Sequence, residues 1–196
     1  DTVGCDRFSE HAQCLALIAG ILDPARARRC LESWLACAEG DLARATIYFS
    51  YYPLEALARA GRGDEIVRRL AFWRGLQAQG FTTTVEAPEP ARSDCHGWGA
   101  HPIHHLLASI AGIRPLEPGF AKVVIAPQPG PLKDLDATVP HPAGGDIRLV
   151  LKKGATVLDA TATLPAGITG IFRWQGQDHA LRPGENRLSL THAAQG

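Results

Sequence analysis

Apolar residues recur at helical spacing from about residue 9 to residue 112, and the period is lost beyond that. Ser9 caps a predicted first helix that runs to about Leu22. Asp23-Pro24, an N-cap followed by proline at the first helical position, opens a second to about Ala38, which Gly40 ends. A third is expected from about Leu42 to Ala60, closed by Gly61. A fourth runs from about Asp64 to just before Gly80, and a fifth from about Trp98 to Gly112. The second sets Leu31, Trp34 and Leu35 against Arg26, Arg28, Arg29 and Glu32. The fourth sets Ile66, Val67, Leu70 and Trp73 against Asp64, Glu65, Arg68, Arg69 and Arg74. Both are amphipathic and are expected on the outside. The first, third and fifth are apolar around most of their circumference, as in Leu15-Ala16-Leu17-Ile18 and in Leu54, Ala56 and Leu57. These are expected inside, which gives a two-layered α/α arc that five helices leave open.

From Arg114 the pattern changes to short β-rich runs: 123–125, 147–151, 156–164, 168–174 and 187–190. Gly144-Gly145, Lys153-Gly154 and Pro183-Gly184 punctuate them. Short strands at this spacing predict an antiparallel sandwich. The reading is therefore α+β with two domains, 1–113 helical and 114–196 sandwich.

Composition narrows the function classes. Twenty Lys and Arg balance twenty Asp and Glu over 196 residues, so no basic field points to nucleic acid or to a membrane surface. No apolar run approaches the ~18–20 residues that span a bilayer. The five cysteines are odd in number and form no C-x-x-C, which fits reduced, structural thiols and a cytoplasmic location. The chain has no Met and starts at Asp1, so it reads as a piece of something longer.

The chemistry concentrates in 81–101, where Phe81-Thr-Thr-Thr-Val-Glu86 is followed by Cys95-His96-Gly-Trp98-Gly-Ala-His101. Glu86 lies between helices on a loop stiffened by Pro88 and Pro90. It is either a general base or a solvated loop acid. Glu89 and Asp94 are nearby rivals, with Asp94 better placed as a cap. His96, His101, His104 and His105 have spacings that zinc sites use, but no matching carboxylate or cysteine completes a set, so neither metal nor cofactor is expected. His96 either donates to a substrate hydroxyl or packs against the scaffold. Trp98 either stacks on a sugar face or belongs to the core. Trp34 and Trp73 read as core, and Tyr48, Phe49, Tyr51 and Tyr52 as packing. Ser50 and Ser93 have no evident His partner for a nucleophilic triad.

Together these segments resemble known enzymes. Ser9-Glu-His-Ala-Gln13, Tyr48-Phe-Ser-Tyr-Tyr52 with Glu55-Ala-Leu57, the Phe81–Glu86 run, Ser93-Asp-Cys-His-Gly-Trp-Gly-Ala100 and Pro118–Pro127 are similar to the final part of bacterial α-L-rhamnosidases of glycoside hydrolase family 78. The resemblance implies a partial (α/α)6 six-hairpin barrel followed by a β-sandwich. It implies an inverting hydrolase of terminal α-L-rhamnosyl residues, with Glu86 as general base and His96 as a sugar contact; Trp98 is read beside them as a substrate-binding wall. Such an enzyme needs a second carboxylic acid ~6.5–9.5 Å from the base. In the family that acid lies early in the barrel, and Asp1, Asp6 and Glu10 do not match it. Twelve helices make a double ring and about five are present. The expected partners are thus a rhamnosylated substrate and the missing N-terminal part of the same enzyme. The isolated chain is expected to be inactive, with the apolar flanks of its inner helices exposed. Two rival readings remain. One is a carbohydrate-binding or scaffolding module with Phe172 and Trp174 as platform. The other is a six-hairpin glycosidase with another sugar specificity.

Overall fold

The structure is a computed structural model that describes residues 3–4, 8–38, 40–88, 90 and 92–191. Asp1, Asp6 and Glu89 lie outside the described residues. It is α+β, with helices followed by sheets. The chain forms two compact units, Asp1–Arg62 with Arg68–Pro102, and Gly63–Val67 with Ile103–Gly196. No helix among the described residues is long and apolar enough to cross a membrane.

A two-residue strand β1 (Phe8–Ser9) leads into α1 (Glu10–Ala19), and Ser9 Oγ accepts the Ala12 N–H at 3.3 Å as its cap. Gly20 closes α1 in the left-handed region, at φ 66°. In α2 (Pro24–Ala36), Asp23 accepts the Arg26 N–H at 2.9 Å. Both caps satisfy amides that helix geometry leaves without partners.

The predicted third helix begins late. Leu42–Ala43 is instead a strand, β2, paired in parallel with β1. Turns then lead to α3 (Tyr51–Arg59). The Ala45 amide is taken by the Glu10 carboxylate, and the Ile47 carbonyl by Ser50 and His101. These backbone groups are committed elsewhere and do not extend the helical ladder. The predicted fourth helix is two helices, α4 (Gly63–Arg69) and α5 (Ala71–Ala78), broken at Leu70. The predicted fifth is a 3-10 turn at Gly97–Ala100, then α6 (Pro102–His105), then π-helical backbone over Leu106–Ile110.

The inner and outer assignment holds for α3, which buries Leu54, Ala56, Leu57 and Ala58. The amphipathic α2 buries Trp34. By contrast α1, expected inside, buries only Glu10 and Cys14 and leaves Leu15 43% exposed. Nothing among the described residues covers that apolar flank.

The second unit contains two four-stranded sheets. Strand β3 (Ile113–Pro115) pairs with β4 (Lys122–Ile125), followed by β5 (Asp134–Pro140), β6 (Asp146–Lys153), β7 (Val157–Leu164), β8 (Thr169–Trp174), β9 (Gln177–Leu181) and β10 (Gly184–Thr191). One sheet has the order β10-β7-β6-β5 and is antiparallel throughout. The other is β3-β4-β8-β9, with β4 and β8 parallel. Alternate residues of β6 and β7 (Ile147, Leu149, Leu151, Leu158, Ala160, Ala162) meet Val123, Ile125, Phe172 and Leu181 of the other sheet in one core. That shared core makes the pair a sandwich. Gly112, at φ 72°, allows close approach: a Cβ there would stand 2.1 Å from the Ala126 carbonyl oxygen.

Phe172 and Trp174 do share a face, and it is the core face. Phe172 is fully buried and Trp174 packs against the same cluster. The pair therefore offers no exposed sugar platform.

Candidate functional site

The 81–101 segment folds as an irregular hairpin stitched by its own threonines. The Glu86 amide donates to the Ser93 carbonyl at 2.9 Å, and the His96 amide to the Thr84 carbonyl at 2.7 Å. Thr84 Oγ1 donates to the His96 carbonyl at 2.6 Å, and Thr83 Oγ1 donates to the Asp94 carbonyl. Val85, 1% exposed, anchors the hairpin in a small cluster with Ile47 and Leu76, against which Phe72, Trp73 and Phe81 pack.

The return arm is held as firmly. Trp73 Nε1 donates to the Gly99 carbonyl at 2.7 Å. A Cβ on Gly99 would lie 2.9 Å from Thr84 Cβ, so only glycine lets the 3-10 turn approach this closely. The turn starts after His96 with no side-chain cap, so Asp94 does not cap it. The loop's Pro88 also borders a cavity of ≈ 210 Å³ lined by Ile47, Ser50, Leu54, Arg69, Phe72 and Trp73.

Glu86 is 11% exposed at its side chain and is gripped by Arg92. Nε donates to Oε2 at 3.0 Å, and Nη2 donates to Oε1. The hydrogen bond from Arg92 lowers the Glu86 pKa below the ordinary carboxylate value. Desolvation opposes this, and the charges of Arg92 and His96 add to the lowering. Arg92 itself is 86% exposed, so the clamp can swing into water. The sequence reading passed over Arg92, although an arginine six residues along the same loop is within local reach.

His96 lies in the same constellation. Its Nδ1 is buried and has no hydrogen-bond partner among the described residues. Its ring packs on Trp98 with centroids 4.2 Å apart. Trp98 is 44% exposed, and Tyr48, which read as packing, is 56% exposed and meets Trp98 edge to face. Glu86, His96 and Trp98 are thus brought together. His101 is engaged elsewhere. Its Nε2 reaches Ser50 Oγ at 2.9 Å and the Ile47 carbonyl at 3.1 Å. Ser50 therefore does have a His partner, contrary to expectation. Ser50 Oγ gives its own proton to the Ile47 carbonyl at 2.6 Å, so His101 donates to Ser50 rather than activating it. The pair is a structural clip.

A second carboxylate, Glu10, has a different setting. It is 1% exposed and accepts from Trp34 Nε1 at 2.9 Å, Arg69 Nη1 at 2.7 Å, the Ala45 amide at 2.8 Å and Arg44 Nη1 at 3.5 Å. Burial works against its ionisation, but the Arg69 charge and the hydrogen bonds from Ala45, Arg69 and Trp34 prevail and lower its pKa. Burial of the neighbouring Cys14 thiol, and after it the Glu10 charge, raise that thiol to about 11.

The likeness to known proteins is concentrated in the sheets. Residues 112–185 match the family described as bacterial alpha-L-rhamnosidase C-terminal domain. Residues 112–185 are thus similar to that domain, and the match covers fewer than half of the chain's residues. The likeness to solved structures also extends into the helices. It is similar to the GH78 family rhamnosidase of Bacillus sp. GL1, with 25% identity, TM-score 0.72 and 86% of this chain covered against 19% of that one. It also shares its fold with the Streptomyces avermitilis α-L-rhamnosidase solved with L-rhamnose (19% identity, TM-score 0.73, 92% and 21% covered). The Aspergillus terreus α-L-rhamnosidase shares it too (15%, 0.76, 92% and 24%). The chain therefore spans about a fifth to a quarter of the length of these relatives. No curated protein matches it.

Proposed function

We propose that the chain is part of an inverting α-L-rhamnosidase that removes terminal α-L-rhamnosyl residues from glycosides. In this reading, residues 1–113 form part of the wall of an (α/α)6 barrel and 114–196 form a bracing sandwich. Glu86 is the general base, His96 binds a sugar hydroxyl and Trp98 walls the subsite. One observation carries the reading: a buried imidazole nitrogen without a hydrogen-bond partner among the described residues, on the same stitched hairpin as a shielded carboxylate. A buried polar atom left unpaired costs about 1–3 kcal/mol, which a substrate hydroxyl on His96 Nδ1 offsets.

The chemistry follows from the charges. Arg92 keeps Glu86 ionised, as a base must be, at the expense of some basicity. As Arg92 turns outward, the carboxylate takes a proton from a water, whose oxygen attacks the anomeric carbon on the face opposite the leaving oxygen. The leaving oxygen takes its proton from a carboxylic acid. Glu10 cannot be that acid, because its cage of donors holds it ionised. The reading assigns the acid to a further segment of the same enzyme and predicts negligible turnover by this chain alone. The free thiols at Cys14, Cys30, Cys37 and Cys95 support a cytoplasmic location within the same reading.

Time-resolved proton NMR of an aryl α-L-rhamnoside with the longer enzyme tests this. The first product is expected to be β-L-rhamnose, and Glu86→Gln is expected to lower kcat by about 10²–10⁴-fold with the fold intact. An α product first, or near-normal turnover by the variant, overturns it.

A further inference from the structure

We propose that Thr84 is a positioning residue of this site. It touches no reacting atom. Its hydroxyl sets His96 at a fixed spacing from Glu86, so that the base, its water and the bound substrate are held in line. The inference rests on the reading of Glu86 as general base and His96 as substrate contact.

Thr84 stands two residues before Glu86 and grips His96 at both of its peptide groups. The His96 amide donates to the Thr84 carbonyl at 2.7 Å, and Thr84 Oγ1 donates to the His96 carbonyl at 2.6 Å. The same carbonyl accepts the Gly99 amide at 3.1 Å. The Gly99 bond lies within the return arm and shapes its turn. The hydroxyl bond crosses from the arm that carries Glu86, so it fixes one arm against the other. Threonine suits this task because branching at Cβ restricts χ1 and limits where its oxygen can point.

Both ends of the link are anchored. On the base arm Val85 is 1% exposed, in the cluster with Ile47 and Leu76, and the Glu86 amide donates to the Ser93 carbonyl at 2.9 Å. On the return arm Trp73 Nε1 donates to the Gly99 carbonyl at 2.7 Å. Gly99 is buried so close to the base arm that a Cβ there would lie 2.9 Å from Thr84 Cβ and 3.0 Å from the Val85 carbonyl oxygen. A link between two anchored arms transmits position rather than absorbing it. The two side chains it relates already interact, since the His96 charge acts on Glu86.

Proton removal from water needs base, water and anomeric carbon held together, and a misplacement of about 1 Å lowers the rate on the order of 10²-fold. Without the Thr84 hydroxyl, His96 keeps its imidazole but loses its set spacing from the base. The signature is a loss in kcat with little change in KM. A loop tie that served stability alone would lower the melting temperature and leave the kcat of the folded enzyme as it was.

The test follows hydrolysis of an aryl α-L-rhamnoside by the longer enzyme. Thr84→Val keeps the shape of the side chain and removes the donor. It is expected to lower kcat about 10–100-fold and to move KM by less than about threefold. Thr84→Ser returns the hydroxyl and is expected to recover kcat to within about threefold of the wild type. In a Glu86→Gln background, Thr84→Val is expected to lower kcat by less than about threefold more, because no base is left to position. Trp73→Phe frees the same turn from its other side, is expected to lower kcat in the same sense, and carries the test if Thr84→Val does not fold. Wild-type kcat in folded Thr84→Val or, where that variant does not fold, in Trp73→Phe overturns the role of Thr84. So does a fall that Thr84→Ser leaves unrepaired, or one that is undiminished beside Glu86→Gln. Each of these leaves Glu86 standing as the base. Near-normal turnover by Glu86→Gln alone removes the reading on which the inference rests.

Discussion

Glu10 and Glu86 are both carboxylates of the helical unit, both paired with arginine and both lowered in pKa. They differ in what holds them. Glu10 accepts from four groups, two of them on α2 and α4 and the others on the stretch between α2 and α3, and its arginine Arg69 is only 18% exposed. Glu86 has Arg92 as its salt-bridge partner, which stands in water, and its shielding comes from a hairpin whose hydrogen bonds are largely its own. A carboxylate locked by many buried donors ties distant segments together and cannot give or take a proton near neutral pH. A carboxylate shielded by its loop, with one movable cation, stays ionised and can still be exposed to a water. The same residue type thus serves the fold in one place and suits chemistry in the other, and the number and mobility of its donors decide which.

The largest effect that would break this contrast is on stability. Glu10→Gln removes one partner of a buried ion pair and leaves Arg69 uncompensated, at a cost on the order of 3–5 kcal/mol in denaturant unfolding. Because the folded-state pKa of Glu10 is depressed, its contribution is fully present above the unfolded carboxylate value. It is lost as pH falls through the depressed value. The wild type is therefore expected to lose stability through that acid window, and Glu10→Gln to show a flatter curve across it. Equal acid sensitivity in both proteins would show that the cage is not what ties the segments together.

A smaller effect sharpens the other half. Arg92→Ala should leave unfolding nearly unchanged, since an exposed partner contributes little to stability. It should raise the Glu86 pKa toward the ordinary carboxylate range. The acid limb of the pH–rate profile would then move to higher pH. A large loss of stability, or an acid limb that stays in place, would mean that Arg92 is structural and does not tune the base.

Much of the fold was legible in local signals. Ser9 and Asp23-Pro24 cap the first two helices, and alternation located β4, β6, β7, β8 and β10. What was missed depends on long-range partners. The break before α3 reflects Ala45 bonded to Glu10 and Ile47 bonded to His101, 35 and 54 residues apart. The acid-rich alternation of Asp134–Pro140 concealed β5, an edge strand with half-buried Leu135, Ala137 and Val139. The parallel pairing of β4 with β8 leaves no mark in either run. At the site, Glu86, His96 and Trp98 stood out because they are close in sequence. Tyr48 did not, because it lies 50 positions from Trp98 in the sequence and its neighbours are aromatics that read as packing.

Chemical rescue tests the contrast most directly. In the longer enzyme, Glu86→Ala should hydrolyse an aryl α-L-rhamnoside about 10²–10⁴-fold more slowly. Added azide, a nucleophile that needs no proton removed, should restore turnover and yield the β-L-rhamnosyl azide. Near-normal hydrolysis by Glu86→Ala without azide, in a protein that melts like the wild type, would contradict the account.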